Sequence, residues 1–397
     1  MPAKNVLPDF LSLPEIEVLS VGRPSSFLRI FNCQKLPTAQ ACPHCATVST
    51  TGYDTRRLKL RDTPIRGAGV ELRLVKRRLF CKPCNRVFTE SVSGVWPGRR
   101  TTQRFRAHVR WAAENFTDLK RVRRAYKVSN DFVYQSLYES LELRARARAR
   151  AWPKVLGIDE HGFGKVRSNL GGIRKFVTML VDMNAKSLFE VAHGRSVDEL
   201  KVQLAHIPGR ENVEWVVMDM SDPYRKFIRE FFPNARIVAD KFHVLRLLGP
   251  ALLRRRKEIP GDRRVHEMKR LMVRNFFSLP FHERSRLDHW LKLHPELKEL
   301  HEFKERLHEL FRTKGFERAS RGFERLIQAA SRSTRVEILR LRDTLLRWRD
   351  PILAYFKTGL TNARTEGMNN VAKVVKRRSY GFRNFKFYRL RLLAACS

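Results

Sequence analysis

What this sequence lacks narrows it quickly. Nowhere does it hold an uncharged apolar run of the ~18 residues needed to cross a bilayer, which excludes a membrane-spanning protein of the helical kind. Pro8, Asp9, Pro14 and Glu15 interrupt any apolar core near the N-terminus, so no secretory signal is expected and a cytoplasmic location is. Cysteine is scarce, six in 397 residues, which excludes a disulfide-built scaffold. Acids are scarce too. Forty Asp and Glu face 80 Lys and Arg, a formal charge of +40 spread along the whole chain. Such a surplus points to a polyanion, because each phosphate met by a cation releases counterions. A ribosomal or chromatin-like packing protein would satisfy the charge alone, but would not need isolated acids at strand ends.

Four of the cysteines form two matched pairs, Cys42-Pro-His-Cys45 and Cys81-Lys-Pro-Cys84. Between them Arg57–Arg61 and Val70–Val75 alternate apolar and charged residues across a turn at Pro64, Gly67 and Gly69, as a hairpin does. Two knuckles closed by a hairpin supply four thiolates for one structural Zn²⁺, although the gap is longer than in the common zinc ribbon. Arg56, Arg57, Lys59, Arg61, Lys76, Arg77 and Arg78 on the hairpin suit phosphate contacts. Cys33 and Cys396 have no assignment. A strand is expected near Phe27–Phe31.

Residues 105–116, 119–126 and a segment capped by Ser129 read as three helices, with a break at Lys127-Val128. This is the pattern of a helix-turn-helix, whose second member enters the major groove, although any small helical bundle shares it. The expected DNA contacts here are Arg123, Arg124, Lys127, Ser129, Asn130 and Tyr134. The alternating Arg-Ala run of residues 144–151 reads as a helix or linker.

From Val155 the pattern turns to strands: 155–159, 176–183, 187–193, 213–218 and 236–239. Ser196-Val-Asp-Glu199 is a capping box opening a helix to about His206, and a further helix precedes Phe232. Three strands followed by helix and strand in alternation describe an α/β sheet of RNase H-like type. The stretch from His243 to Pro351 is helical, basic and strand-poor, an all-helical insertion with Arg254-Arg-Arg-Lys257 available for DNA or a second subunit.

Three acids stand out. Asp159 ends the apolar run Val155-Leu-Gly-Ile158, with Glu160 on the opposite face as an outer candidate. Asp219 ends Trp215-Val-Val-Met218, whereas Asp222 before Pro223 reads as a helix N-cap. Glu366 lies on a helix whose Met368, Val371, Ala372 and Val375 form an apolar stripe to pack on the sheet. Gly367, Asn369 and Asn370 are poor helix formers there, as close approach of DNA would explain, and Lys373, Lys376, Arg377 and Arg378 suit phosphates. Carboxylates gathered from distant stretches are how a protein holds Mg²⁺ for phosphoryl transfer.

These motifs together resemble the bacterial insertion-sequence transposases of the ISL-three family. The resemblance rests on the paired Cys-x-x-Cys module, Gly157-Ile-Asp-Glu160, Asp219-Met-Ser-Asp-Pro-Tyr224 and Pro233-Asn-Ala-Arg-Ile-Val-Ala-Asp-Lys-Phe-His243. It continues in Glu366-Gly-x-Asn369 and Lys376-Arg-Arg-Ser-Tyr-Gly-Phe-Arg383. It implies a DDE site of Asp159, Asp219 and Glu366 binding two Mg²⁺ or Mn²⁺ ions, supported by the pair Asp240 and His243. It implies double-stranded DNA as partner (terminal inverted repeats and target), a homodimer or higher oligomer, and a place on the bacterial nucleoid. The organisation expected is a zinc module over 1–95, helix-turn-helix and basic linker over 96–150, and an RNase H-like core over 151–245 and 351–397. The insertion would fill 246–350. A nuclease without strand joining, or a DNA-binding regulator with a decayed core, are the alternatives.

Overall fold

The computed structural model describes residues 13–115, 118–148, 150–168, 171–259 and 266–396. Pro8 and Asp9, the end of the first helix at Phe116 and Ala149 of the Arg-Ala run lie outside the described residues. The chain divides into two compact units, Met1–Arg144 and Ala145–Ser397.

The first unit is built on a twisted hairpin, β5 (Gly52–Ile65) with β6 (Ala68–Cys81). Arg66 and Gly67 both take positive φ, 48° and 78°, the left-handed pair that a two-residue turn joining right-twisted strands demands. Two strands that precede it, β1 (Ile16–Ser25) and β2 (Leu28–Lys35), extend the sheet, β2 running parallel to β6. The expected strand near Phe27 is thus longer and starts at Leu28, and β1 was not foreseen, since past Val18 the run Leu19-Ser-Val-Gly-Arg23 does not alternate. Small strands β3 (Gln40–Ala41) and β4 (Val48–Ser49) pair with each other, and β7 (Arg86–Thr89) pairs with β6. Phe31, Leu60, Leu72 and Leu74 fill the core of this sheet.

Three helices complete the unit: α1 (Gln103–Asn115), α2 (Leu119–Tyr126) and α3 (Asn130–Ala147). Asp118 caps α2, Oδ1 accepting from Arg121 N at 2.7 Å, and Ser129 caps α3, Oγ accepting from Phe132 N at 3.2 Å. Lys127 between them is left-handed, φ 48°, which turns the chain at the expected break. Several hairpin cations serve the fold rather than phosphate. Arg61 donates to the carbonyls of Tyr126 and Lys127, Arg77 pairs with Glu90, and Arg78 with Asp54. Arg144 likewise pairs with Glu114, and α3 runs on to Ala147, so the Arg-Ala run begins as helix and not as a linker.

The second unit carries a five-stranded sheet in the order β10-β9-β8-β11-β12. Its members are β8 (Val155–Ser168), β9 (Gly171–Asp182), β10 (Ser187–His193), β11 (Trp215–Met218) and β12 (Arg236–Ala239). The first three pair antiparallel, while β8, β11 and β12 are parallel. Alternation along the strands divides two cores. Leu156, Ile158 and Leu180 join Val216 and Met218 on one face; Val177, Met179 and Val181 face the other.

On the first face lie α4 (Val197–Leu204) and α5 (Asp222–Phe231). The capping box of α4 is formed, Ser196 with Glu199. After α6 (Lys241–Leu245) comes the expected helical block: α7 (Gly249–Glu258), α8 (His266–Val273), α9 (Phe281–Lys292), α10 (Pro295–Leu310), α11 (Phe316–Ser331), α12 (Val336–Arg347) and α13 (Arg349–Thr358). Its Leu252, Leu271, Leu297, Phe323 and Trp348 belong to the same apolar core as the sheet, and α13 lies along β12. Arg255 of its basic run pairs with Glu337 and Glu258, and Arg256 is buried, so these two are used inside the fold. The second face is covered by α14 (Ala363–Arg378) and α15 (Phe385–Ala395), through Met368, Ala372, Tyr388 and Leu392.

Candidate active site and zinc ribbon

Parallel register sets the acids at one level. Val217 stands opposite Gly157, and Met218 opposite Ala239. Two residues past Gly157 is Asp159, two past Val217 is Asp219, and one past Ala239 is Asp240. All three therefore emerge where β11 and β12 stop, at the carboxyl edge where open α/β sheets place their ligands. Asp240 N donates to Met218 O at 2.8 Å, which fixes that level. The strand β8 does not end at its acids as its sequence suggests. It continues as a hairpin with β9 to Ser168, beyond the reach of its parallel neighbour.

His243, in the first turn of α6, sits between two of the acids. Its Nδ1 lies 2.7 Å from Asp219 Oδ1 and 3.0 Å from Asp240 Oδ2. Hydrogen bonds donated to Asp219 and Asp240 push the imidazole up to about 10, so it is charged at neutral pH. Asp159 is also pushed up, to about 6, first by burial and then by the charge of Asp219, which for a carboxylate disfavours the charged form. Asp159 Oδ1 accepts from Glu160 N at 2.7 Å, and Oδ2 accepts from Asn369 Nδ2.

The other face of β8 carries Glu160. It accepts from Tyr224 OH at 3.3 Å and pairs with Arg195 at 3.3 Å, and Tyr224 in turn meets Thr178 Oγ1 at 2.9 Å. Asp159, Glu160, Asp219, Arg195 and Tyr224 line a cavity of about 80 Å³.

Helix α14 is clamped to these strands by two asparagines one face apart. Asn362, just before its first turn, gives its backbone N–H to Asp240 Oδ1 at 3.1 Å and its Nδ2 to Ile158 O at 3.0 Å. Two turns on, Asn369 holds Asp159. Its Oδ1 faces His161 Nδ1 at 3.0 Å, and His161 Nε2 faces Tyr388 OH at 2.5 Å. Burial pulls the His161 imidazole down to about 4. A neutral ring with Nδ1–H donating to Asn369 and Nε2 accepting from Tyr388 satisfies the whole chain of bonds. Gly157 lets the helix come this close: a Cβ there would overlap Thr365 Oγ1.

Glu366 sits between the two asparagines on this helix, exposed, its backbone N–H donating to Asn362 O at 3.0 Å. Among the described residues Asp219, Asp240 and His243 bring ligand atoms within 4.8 Å of one another; the trio Asp159, Asp219 and Glu366 does not. Three sequence expectations change here. Asp222 caps nothing: Ser221 is the N-cap position, and Asp222 in the first turn pairs with Arg347 at 3.3 Å. Val371 is exposed, its place on the buried stripe taken by Thr365 and Asn369. Asn369 faces the sheet, so contact with Asp159 rather than approach of DNA accounts for it. Lys376 donates to Gly162 O at 2.8 Å, while Lys373, Arg377 and Arg378 are exposed.

In the first unit the four cysteines converge. Cys42 and Cys84 Sγ are 3.6 Å apart, Cys45 and Cys81 Sγ 3.5 Å, and all four lie within 4.8 Å. Each knuckle is followed by a left-handed residue, Ala46 (φ 58°) and Asn85 (φ 51°). The edge of a zinc–sulfur tetrahedron is about 3.8 Å for bonds of ~2.3 Å, so the set fits. Hydrogen bonds from Thr47 bring the Cys45 thiol down to about 6, while burial pushes Cys84 up to about 12.

A family model for transposases of the ISL3 type matches residues 156–392, the sheet, the helical block and α14 together. The chain belongs to this transposase family. A second model, the zinc finger of transposases IS204, IS1001, IS1096 and IS1165, matches residues 38–84 of the transposase and spans all four cysteines. Their thiolates are the ligand set of a structural Zn²⁺. The chain is also 26% identical over 374 residues to the transposase for insertion sequence element IS1001 of Bordetella parapertussis, covering 90% of each. No helix among the described residues is long and apolar enough to cross a membrane.

The strand acids of the transposase suit a divalent cation. Asp219, Asp240 and His243 bring ligand atoms within 4.8 Å of one another, and the charge of Asp219 beside Asp159 is a repulsion that a cation relieves.

Proposed function

We propose that this transposase binds the terminal inverted repeats of an insertion sequence and performs metal-dependent DNA cleavage and strand transfer. Asp159, Asp219 and Glu366 are its DDE acids, on an RNase H-like core. The observation that carries the reading is the common level of Asp159 and Asp219 at the sheet edge, with the Glu366 helix bonded to Asp159 through Asn369. Two Mg²⁺ or Mn²⁺ ions held there would supply activation of a water or of the DNA 3′-OH and charge stabilisation at the leaving oxygen. Asp159, Asp219 and Glu366 would hold these ions, Glu366 from the exposed first turn of α14. His243 holds Asp219 and Asp240 in place before the ions arrive. Lys373, Arg377 and Arg378 extend along the outer face of the same helix, ready for backbone phosphates.

In the first unit, α2 and α3 form a helix-turn-helix, with Arg124, Lys127, Asn130 and Tyr134 exposed around its turn and Arg123 half-buried. Its second helix would read the repeat in the major groove. Two ends cut together call for a dimer or larger assembly, and the charge of +40 would hold the protein on the nucleoid.

The test is nicking of supercoiled plasmid with Mg²⁺ or Mn²⁺, wild type against Asp159→Asn, with DNA binding measured alongside. Loss of nicking with binding retained is expected, together with joined products when the true ends are supplied. Equal nicking by both proteins would sink the assignment, and nicking without joined products would leave a nuclease.

A further inference from the structure

The acids follow the carboxyl ends of β11 and β12. At the opposite ends of the same strands a second cavity, of about 390 Å³, opens beside Trp215 and Arg236. That is within the range of about 300–1,000 Å³ typical of small-ligand sites. Its floor is apolar, from Ala235, Ile237, Phe316 and Leu353. Five cations line it, Arg225 and Arg229 from α5, Arg236 from β12, and Arg349 and Lys357 from α13, with one acid, Asp350.

Arg349 is neutralised by Glu324 at 2.9 Å and Asp350 at 3.5 Å. Among the described residues no ion pair joins Arg225, Arg229, Arg236 or Lys357 to a carboxylate. Arg225 lies over Trp348 at 4.8 Å and donates to Arg347 O at 3.0 Å, yet its Nε is buried with no partner. Arg236 lies 5.7 Å from the Trp215 ring and Lys357 Nζ 4.1 Å from that of Phe316. Five cations around one hollow that holds a single acid, Asp350, repel one another more than that acid offsets. The arrangement suits an anion that arrives from outside. Aromatic and apolar walls beside the cations suit a base or sugar next to that anion.

We infer that this pocket binds a nucleotide unit, its phosphate on Arg225, Arg229 and Arg236 and its base or sugar on the apolar floor, at the end of the sheet away from the acids. The unit is either part of a DNA strand or a free mononucleotide.

The experiment uses the full-length, zinc-loaded protein with no Mg²⁺ or Mn²⁺ added, so nicking is never read and the DDE assignment does not enter. Binding of duplex and single-stranded oligonucleotides is measured against salt for wild type, Arg229→Ala/Arg236→Ala, and the control Arg318→Ala/Arg321→Ala on the exposed side of α11. A phosphate contact contributes roughly 0.9 to the salt slope on duplex DNA and 0.7 on single strands. The pocket variant is expected to lose one phosphate contact, about 0.9 in slope on duplex and about 0.7 on single strands, and the control clearly less. In parallel, dAMP is titrated by tryptophan fluorescence against wild type, the pocket variant and Trp215→Phe. A loss of slope specific to the pocket variant assigns the site to a DNA strand. An unchanged slope with dAMP quenching that disappears in the pocket variant and in Trp215→Phe assigns it to a free nucleotide. Equal slopes in pocket variant and control, with dAMP behaviour unaltered, overturn the inference.

Discussion

Asn369 Nδ2 donates to Asp159 Oδ2, tying α14 to β8 across 210 residues of chain. The bond orients the one strand acid that burial makes reluctant to ionise, and His161 holds the amide the right way round from behind. Removing a group that aims a metal-binding carboxylate typically costs 10–100-fold in metal affinity or activity. Asn369→Ala should raise the Mg²⁺ concentration for half-maximal nicking by about that factor, with metal-free DNA binding unchanged. His161→Phe should act in the same direction more weakly. An unaltered Mg²⁺ dependence in Asn369→Ala would reduce the bond to a packing contact.

Asp159 should be expensive for the metal-free fold. In the folded chain it titrates at about 6, above its ordinary value of 3.8. The ionised acid therefore destabilises the folded state, by an amount that grows as pH rises from about 4 to 6 and is constant above. With one unit equal to 1.36 kcal/mol, the penalty is at most about 3 kcal/mol. Asp159→Asn should melt higher than wild type at pH 7 without divalent metal, and the gap should narrow toward pH 5. A variant that melts lower at pH 7 would contradict this.

Gly157 marks the closest approach of helix and strand. Gly157→Ala would drive Cβ into Thr365 Oγ1 and against the Met183 sulfur at 2.9 Å. Overpacking of this kind costs about 1–3 kcal/mol. Thermal unfolding should fall accordingly, and Thr365→Gly in the same chain should recover part of the loss. Independent, additive effects of the two changes would argue against a direct clash.

Zinc should be confined to the ribbon. Cys81→Ser is expected to lower zinc content from one ion per chain to near none. Amide exchange should then speed up in β3, β4 and β7 while β8 to β12 keep their protection. Full zinc occupancy in that variant would show that the four thiolates are not the ligand set.

Much of this was legible in the residues, for reasons that differ by element. Paired Cys-x-x-Cys motifs, capping residues Ser129 and Ser196, and short apolar strands running into Asp219 and Asp240 are local signals, and local signals survive folding. The length of β8 and β9 was not legible, because past Gly162 the hairpin leaves its parallel neighbours and no longer alternates apolar with polar. Asp222 misled because a residue before proline mimics a cap, whereas Arg347, far along the chain, claims it. The polar stripe Asn362, Thr365 and Asn369 carried a readable cue: helix-spaced polar residues beside an apolar face. Only the arrival of β8 beneath them says that they point inward. Asn369 as the partner of Asp159 was therefore missed.

The order of synthesis gives the clamp between β8 and α14 a further meaning. At roughly 5–20 residues per second, ribosomes need about 10–40 s to pass from Asp159 to Asn369. For that time the zinc ribbon and its helices can fold while the strand acids still await their helix. A message cut short before Asn362 would leave a polypeptide able to bind zinc and DNA but holding half a reaction centre. In the proposed reading, such a fragment occupies transposon ends without cutting them and acts as a competitor of the complete chain.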